Sequence, residues 1–160
     1  MMNNYFELLN ISEDYDLNEA HLHAAYRDAQ LKHHPDRLGQ QQYATRLNDA
    51  YRTLRDPVKR ALYLLDLRGV KADLETDTHL DPDFLAEQLS LRESLQSLAA
   101  FPDNQEAVND FRTQLGQAKE RKIQAFLKAY QIKAYQTARH LVRELQFFAR
   151  LEEQVKDLLC

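Results

Sequence analysis

The chain has 160 residues, 21 Lys/Arg against 25 Asp/Glu and a formal charge of -4, so it carries no basic excess of the kind that holds a nucleic-acid backbone. Its single cysteine, Cys160, allows no internal disulfide and no zinc finger or ribbon. The first residues lack a signal-peptide pattern and no apolar run approaches the ~20 residues that span a bilayer, which leads to the expectation of a cytoplasmic protein with no membrane or nucleic-acid partner.

Leu, Ala, Gln, Glu and Arg far outnumber Val and Ile, which favours helix almost throughout. The three glycines are too far apart to build a phosphate loop. In chain order, Tyr5 to Ile11 is a short apolar segment worth one or two helical turns. Asp16 is the expected N-cap of the next helix, with Glu19 at capping-box spacing. Its buried stripe is Leu22, Ala25, Tyr26, Ala29 and His33, while Arg27 and Lys32 point away. Pro35 disfavours helical geometry at His34, so this helix should stop near His33. A further helix is expected from Gln41 to Leu54, with Ala44, Leu47, Ala50, Tyr51 and Leu54 buried. Asp56-Pro57 reads as cap and first residue of another helix, ended by Gly69.

Residues 70–80 have no clear period and are the candidate linker between a domain at 1–69 and a second at 81–160. Asp81-Pro82 repeats the cap-and-proline device. Three helices are expected, at about 82–100, 104–130 and 134–159, with Asp103 and Glu106 at capping-box spacing in the first joint. The second joint, near 131–133, is poorly marked, and a kinked continuous helix there is an alternative. Short connections imply an antiparallel three-helix bundle.

"AYRDAQLKHHPDRL" followed by "LNDAYRTLRDPVKRALYLL" closely resembles a J-domain. The residues that carry the resemblance are His34-Pro35-Asp36, Tyr26-Arg27, Leu47-Asn48-Asp49-Ala50-Tyr51, and Asp56-Pro57 with Lys59-Arg60-Ala61 and Tyr63. The following half, from "DPDFLAEQLSLRESLQ", looks like the C-terminal domain of the HscB family of iron–sulfur cluster co-chaperones. The fold class this implies is all-α, a J-domain of an antiparallel helical hairpin plus short helices, then a C-terminal three-helix bundle. The resemblance implies a co-chaperone that catalyses nothing itself, stimulates an HscA- or DnaK-type ATPase and brings it an IscU-type scaffold. No cofactor and no metal carry over.

It also implies which residues do the work. His34, Pro35 and Asp36 would form the tip read by the chaperone, with Arg27, Lys32 and Arg37 as its cationic face. Asp28 stands where many J-domains carry Lys or Arg, which thins that face and favours a dedicated partner. Physically the triplet suits recognition: proline fixes φ and lowers the entropy lost on binding, and a carboxylate accepts two hydrogen bonds from an arginine. In the bundle, Leu85, Ala86, Leu89, Glu93 and Phe147 match the family's scaffold-binding positions. Ala86 replaces a larger apolar residue, and Ser90 and Ser97 stand where a carboxylate can occur. With roughly 100° per residue, Phe84, Gln88, Leu91, Leu95 and Leu98 form the core stripe of their helix, and Leu85 and Leu89 lie beside it. On the last helix Ala138, Leu141, Leu145 and Phe148 mark the core, and Phe147 is expected to point away.

Two other functions fit the residues. One is a J-protein of the same mechanism with an unrelated client. The other is a helical metallohydrolase using His33, His34 and Asp36, with His21, His23 or His140 as further ligands. Against the metal stands geometry: His33 falls on the core stripe and His34 beyond the helix end, while His21 and His23 face apart.

Overall fold

The computed structural model describes residues 4–32, 40–71 and 81–159. Among these residues there are seven helices and no strand: α1 Tyr5–Leu8, α2 Glu19–Lys32, α3 Gln40–Arg55, α4 Pro57–Leu67, α5 Pro82–Ala100, α6 Gln105–Gln131 and α7 Tyr135–Asp157. The chain divides into two compact units, Met1–Gly69 and Val70–Cys160. The all-helical reading of the sequence holds.

In the first unit, the start of α2 differs from expectation. Asn18, not Asp16, is the capping side chain: its Oδ1 accepts the N–H of Ala20 at 2.8 Å and of His21 at 3.3 Å. Tyr15 is buried and the chain turns there, with Leu17 N–H donating to Tyr15 O at 2.9 Å, so helical geometry begins only afterwards. Asp56 does cap α4, accepting from Val58 and Lys59, with Pro57 at the first position where its missing N–H costs nothing. Gly69, at φ +76, ends that helix in the left-handed region where glycine is unstrained.

α2 and α3 lie antiparallel, pairing His23 with Tyr51 and Tyr26 with Asn48. Phe6, Leu22, Leu47, Leu54, Leu64 and Leu65 are buried between these two helices, α1 and α4. Each contributes roughly 1.5–3 kcal/mol on leaving water. Ala50 and Ala61, both fully buried, let the helices approach closely. Ala44, expected in the stripe, is exposed; Tyr43, one residue earlier, takes the half-buried place instead.

In the second unit Asp81 caps α5 as expected, accepting from Asp83 N–H at 3.1 Å. At the next joint the cap is Asn104, not Asp103. A turn from Phe101 to Asn104 carries the chain one residue further, and Asn104 Oδ1 then accepts from Ala107. The α6–α7 joint is a true break. Lys133 N–H reaches Tyr130 O at 3.1 Å, Ala134 N–H reaches Ala129 O at 2.8 Å, and Lys133 takes φ +62. This is a Schellman turn with lysine at the position glycine usually fills.

α6 and α7 run antiparallel, tied by Lys119–Glu152 at 2.8 Å and Lys122–Glu144 at 3.4 Å. α5 closes the bundle through Phe84 and Leu91, packed on Val108, Phe111, Leu115, Phe148, Leu151 and Val155.

Candidate functional site

The residues that carry the first unit's signature are largely its structural joints. The ring of Tyr26 stacks on Tyr51 with centroids 4.4 Å apart and planes 12° from parallel, and Tyr26 Oη donates to Asn48 Oδ1 at 3.5 Å. Arg55 lies over the other part of this pillar, 5.5 Å from the Tyr51 centroid. Arg60 Nη1 donates to Leu54 O at 2.7 Å, holding the α3–α4 elbow, and its guanidinium lies 4.7 Å from the centre of the Tyr15 ring. Tyr63 stacks on Tyr5 and its Oη accepts the Tyr5 N–H at 2.8 Å. Burial raises the Tyr63 phenol above its usual pKa, and the Tyr5 N–H bond opposes this.

With those residues committed to the frame, the exposed residues of the last turns of α2 include Arg27, Asp28, Leu31 and Lys32, Leu31 at 79 %. The helix leads at Lys32 into the stretch holding His33, His34, Pro35, Asp36 and Arg37. These five positions lie outside the described residues, as do residues 72–80, the segment expected to be a linker. Among the described residues no group of three or more His, Cys, Asp or Glu is placed to hold a metal ion. None of the described helices is long and apolar enough to cross a membrane.

In the second unit α5 buries Phe84 and Leu91, half-buries Gln88, Leu95 and Leu98, and leaves Leu85 and Leu89 in solvent. Leu89 is 63 % exposed and Leu85 36 %. Ala86 and Glu93 are exposed on the same helix. Phe147 does not join them. It is 6 % exposed, edge-on to Phe84 at 5.6 Å and to Phe148 at 5.8 Å, with the Arg92 guanidinium 5.5 Å from its centroid. The expectation that Phe147 points away from the core fails because α5 crosses α7 there and supplies Phe84 as a packing partner. The apolar feature on the surface is therefore a leucine pair, with the aromatic beneath its edge.

A cleft of about 540 Å³ lies between α5 and α7 beside Phe147. Gln88 and Arg92 line one wall, and His140, Arg143, Glu144 and Arg150 the other. Burial raises the Glu144 carboxyl above its ordinary value; the Lys122 ammonium opposes that, and Asp81 and Glu87 add to it. Arg92, Arg150 and Glu144 are not among the site residues expected from the sequence. Spacing marks only part of the wall: His140, Arg143, Phe147 and Arg150 recur at three and four residues on α7, whereas Arg92 lies on α5.

Residues 4–63 match the DnaJ domain family, and residues 80–156 match the family described as the HSCB C-terminal oligomerisation domain. The Co-chaperone protein HscB homolog of Burkholderia multivorans is 38% identical, over 97% of this chain and 93% of that one. Among solved structures, Chaperone HscB from Vibrio cholerae superposes with a TM-score of 0.83 at 34% identity, covering 98% of both chains. The human co-chaperone protein HscB gives 0.86 at 25% identity, covering 97% of this chain and 81% of that one.

A J-domain pinned by its aromatic pillar and followed by a three-helix bundle defines a J-domain co-chaperone, whose role is to act on a DnaK-type chaperone. The bundle gives the finer assignment: the chain belongs to the HscB co-chaperone family.

Proposed function

We propose that this protein stimulates the ATPase of an HscA-type chaperone and delivers an IscU-type iron–sulfur scaffold to it. Residues 1–69 act as the chaperone-docking domain, 70–80 as linker and 81–160 as the scaffold-binding domain. His34, Pro35 and Asp36 are read by the ATPase, and Arg27, Lys32 and Arg37 steer the encounter with an acidic surface, setting rate and orientation more than affinity. Leu85 and Leu89 supply the apolar centre of the scaffold contact, with Ala86 and Glu93 on its flank. Phe147 supports it from below, holding α5 against α7.

The observation that carries this reading is the leucine pair. Leu85 and Leu89 sit one turn apart on a helix that packs into the core through Phe84 and Leu91, and both face solvent. Exposed leucines so arranged are what a partner helix or groove covers. The deciding experiment is a steady-state ATPase assay with a purified HscA-type chaperone, with and without an IscU-type scaffold. Stimulation by this protein that rises further with scaffold is the expected result. Stimulation indifferent to the scaffold would leave a J-protein serving another client.

A further inference from the structure

The exposed leucines share their helix face with a charge. At roughly 100° per residue, Leu85, Leu89 and Arg92 fall within about 60° of arc, so the apolar strip runs directly into a guanidinium. Arg92 lies over Phe147 and forms one wall of the α5–α7 cleft, while Arg143 and Arg150 line the other. Arg92 and Arg150 are both exposed.

Two carboxylates also line the cleft, and each already has a partner within the bundle. Asp81 Oδ1 caps α5 by accepting the Asp83 N–H, and Glu144 is ion-paired with Lys122 at 3.4 Å. The cleft is thus a cationic spot on a chain whose formal charge is -4. On the opposite flank of the leucines the helix carries Ala86, Ser90 and Glu93, which provide no second cationic edge.

We infer that the cleft receives acidic side chains of the same partner segment that covers Leu85 and Leu89, with Arg92 and Arg150 as the charge-selecting residues. The inference rests on the proposed scaffold contact and adds its polarity. The leucines provide contact area, and the guanidiniums, which offer paired N–H donors suited to carboxylates, decide which segments fit and in which direction they lie.

The test has two arms. In the first, full-length isotopically labelled protein is titrated with an end-capped hexaglutamate peptide, and with hexalysine as control, while side-chain Nε–H resonances are followed by NMR. Hexaglutamate should give saturable shifts at Arg92 and Arg150, hexalysine none, and Arg92→Gln with Arg150→Gln should weaken binding about tenfold, the size expected of two partly exposed charge pairs. Because the protein is net negative, non-specific attraction works against the acidic peptide. Arg92 and Arg150 shifts that do not saturate, or hexaglutamate affinity that is undiminished in the double variant when read from backbone amides of α5 and α7, overturn the inference. In the second arm, scaffold binding is measured at rising salt. A steep loss of affinity with salt that flattens in the double variant supports the inference. Scaffold binding that needs Leu85 and Leu89 yet ignores both the salt and the double substitution overturns it and leaves the proposed function standing. If the scaffold does not bind the wild-type chain, that function fails, and the peptide arm alone decides the cleft.

Discussion

The face-to-face stack of Tyr26 on Tyr51, 4.4 Å between centroids, is what holds α2 against α3 at mid-hairpin. Truncating either ring removes the half-buried aromatic pair; the Asn48 bond goes with Tyr26 and the Arg55 contact with Tyr51. Tyr51→Ala is expected to cost about 2–4 kcal/mol of stability, whereas Tyr26→Phe, which keeps the stack and loses only a 3.5 Å hydrogen bond, should cost about 1 kcal/mol or less. Chemical denaturation followed by circular dichroism checks the order of the two.

Asp36→Asn should leave the fold and melting temperature as they are and reduce ATPase stimulation of an HscA-type chaperone at least tenfold. A carboxylate gripped by arginine loses its charge and one acceptor in the amide, and charge-assisted bonds are roughly twice as strong as neutral ones. Unchanged stimulation in the steady-state assay refutes the assignment of the tip.

The leucine pair and Phe147 should separate cleanly. Leu85→Ala with Leu89→Ala removes exposed groups and is expected to shift stability by about 0.5 kcal/mol or less, while weakening scaffold association tenfold or more. Phe147→Ala opens a cavity against Phe84 and Phe148 and should cost about 3–5 kcal/mol of stability, so its effect on binding follows from loss of packing. Paired melting and pull-down measurements distinguish the two behaviours.

Glu144 makes stability depend on pH with an unusual sign for a carboxylate. Its folded pKa lies above the ordinary value of 4.5, so the native state binds this proton more tightly than the unfolded chain does. Its contribution is therefore favourable at low pH and is lost as pH rises from 4.5 through the raised folded value. Glu144→Gln, which resembles the protonated form, should flatten that part of the melting-temperature profile.

Much of this was legible in the residues. Asp56-Pro57 and Asp81-Pro82 announced two helix starts because cap and proline act locally, within one turn. Gly69 announced an end for the same reason. The misplaced caps at Asn18 and Asn104 have a common cause: in each case a preceding turn, anchored at buried Tyr15 or spanning Phe101 to Asn104, moved the boundary along the chain. The Schellman turn at Lys133 was hidden because a lysine occupies a position where glycine is the usual signal. Helical spacing located Leu85 and Leu89 correctly beside the core. It misjudged Phe147, since spacing along one helix carries no information about where a second helix crosses it. The cationic wall of the cleft was missed for the same reason, being divided between α5 and α7.

Arg60 joins the remote loop at Tyr15 to the elbow formed by the last turn of α3 and its own helix. Such a clasp makes their opening a shared event. Amide protons in the Tyr15 loop and at the end of α3 should exchange with solvent at matched rates, and Arg60→Ala should accelerate both together while leaving amides of the second unit untouched.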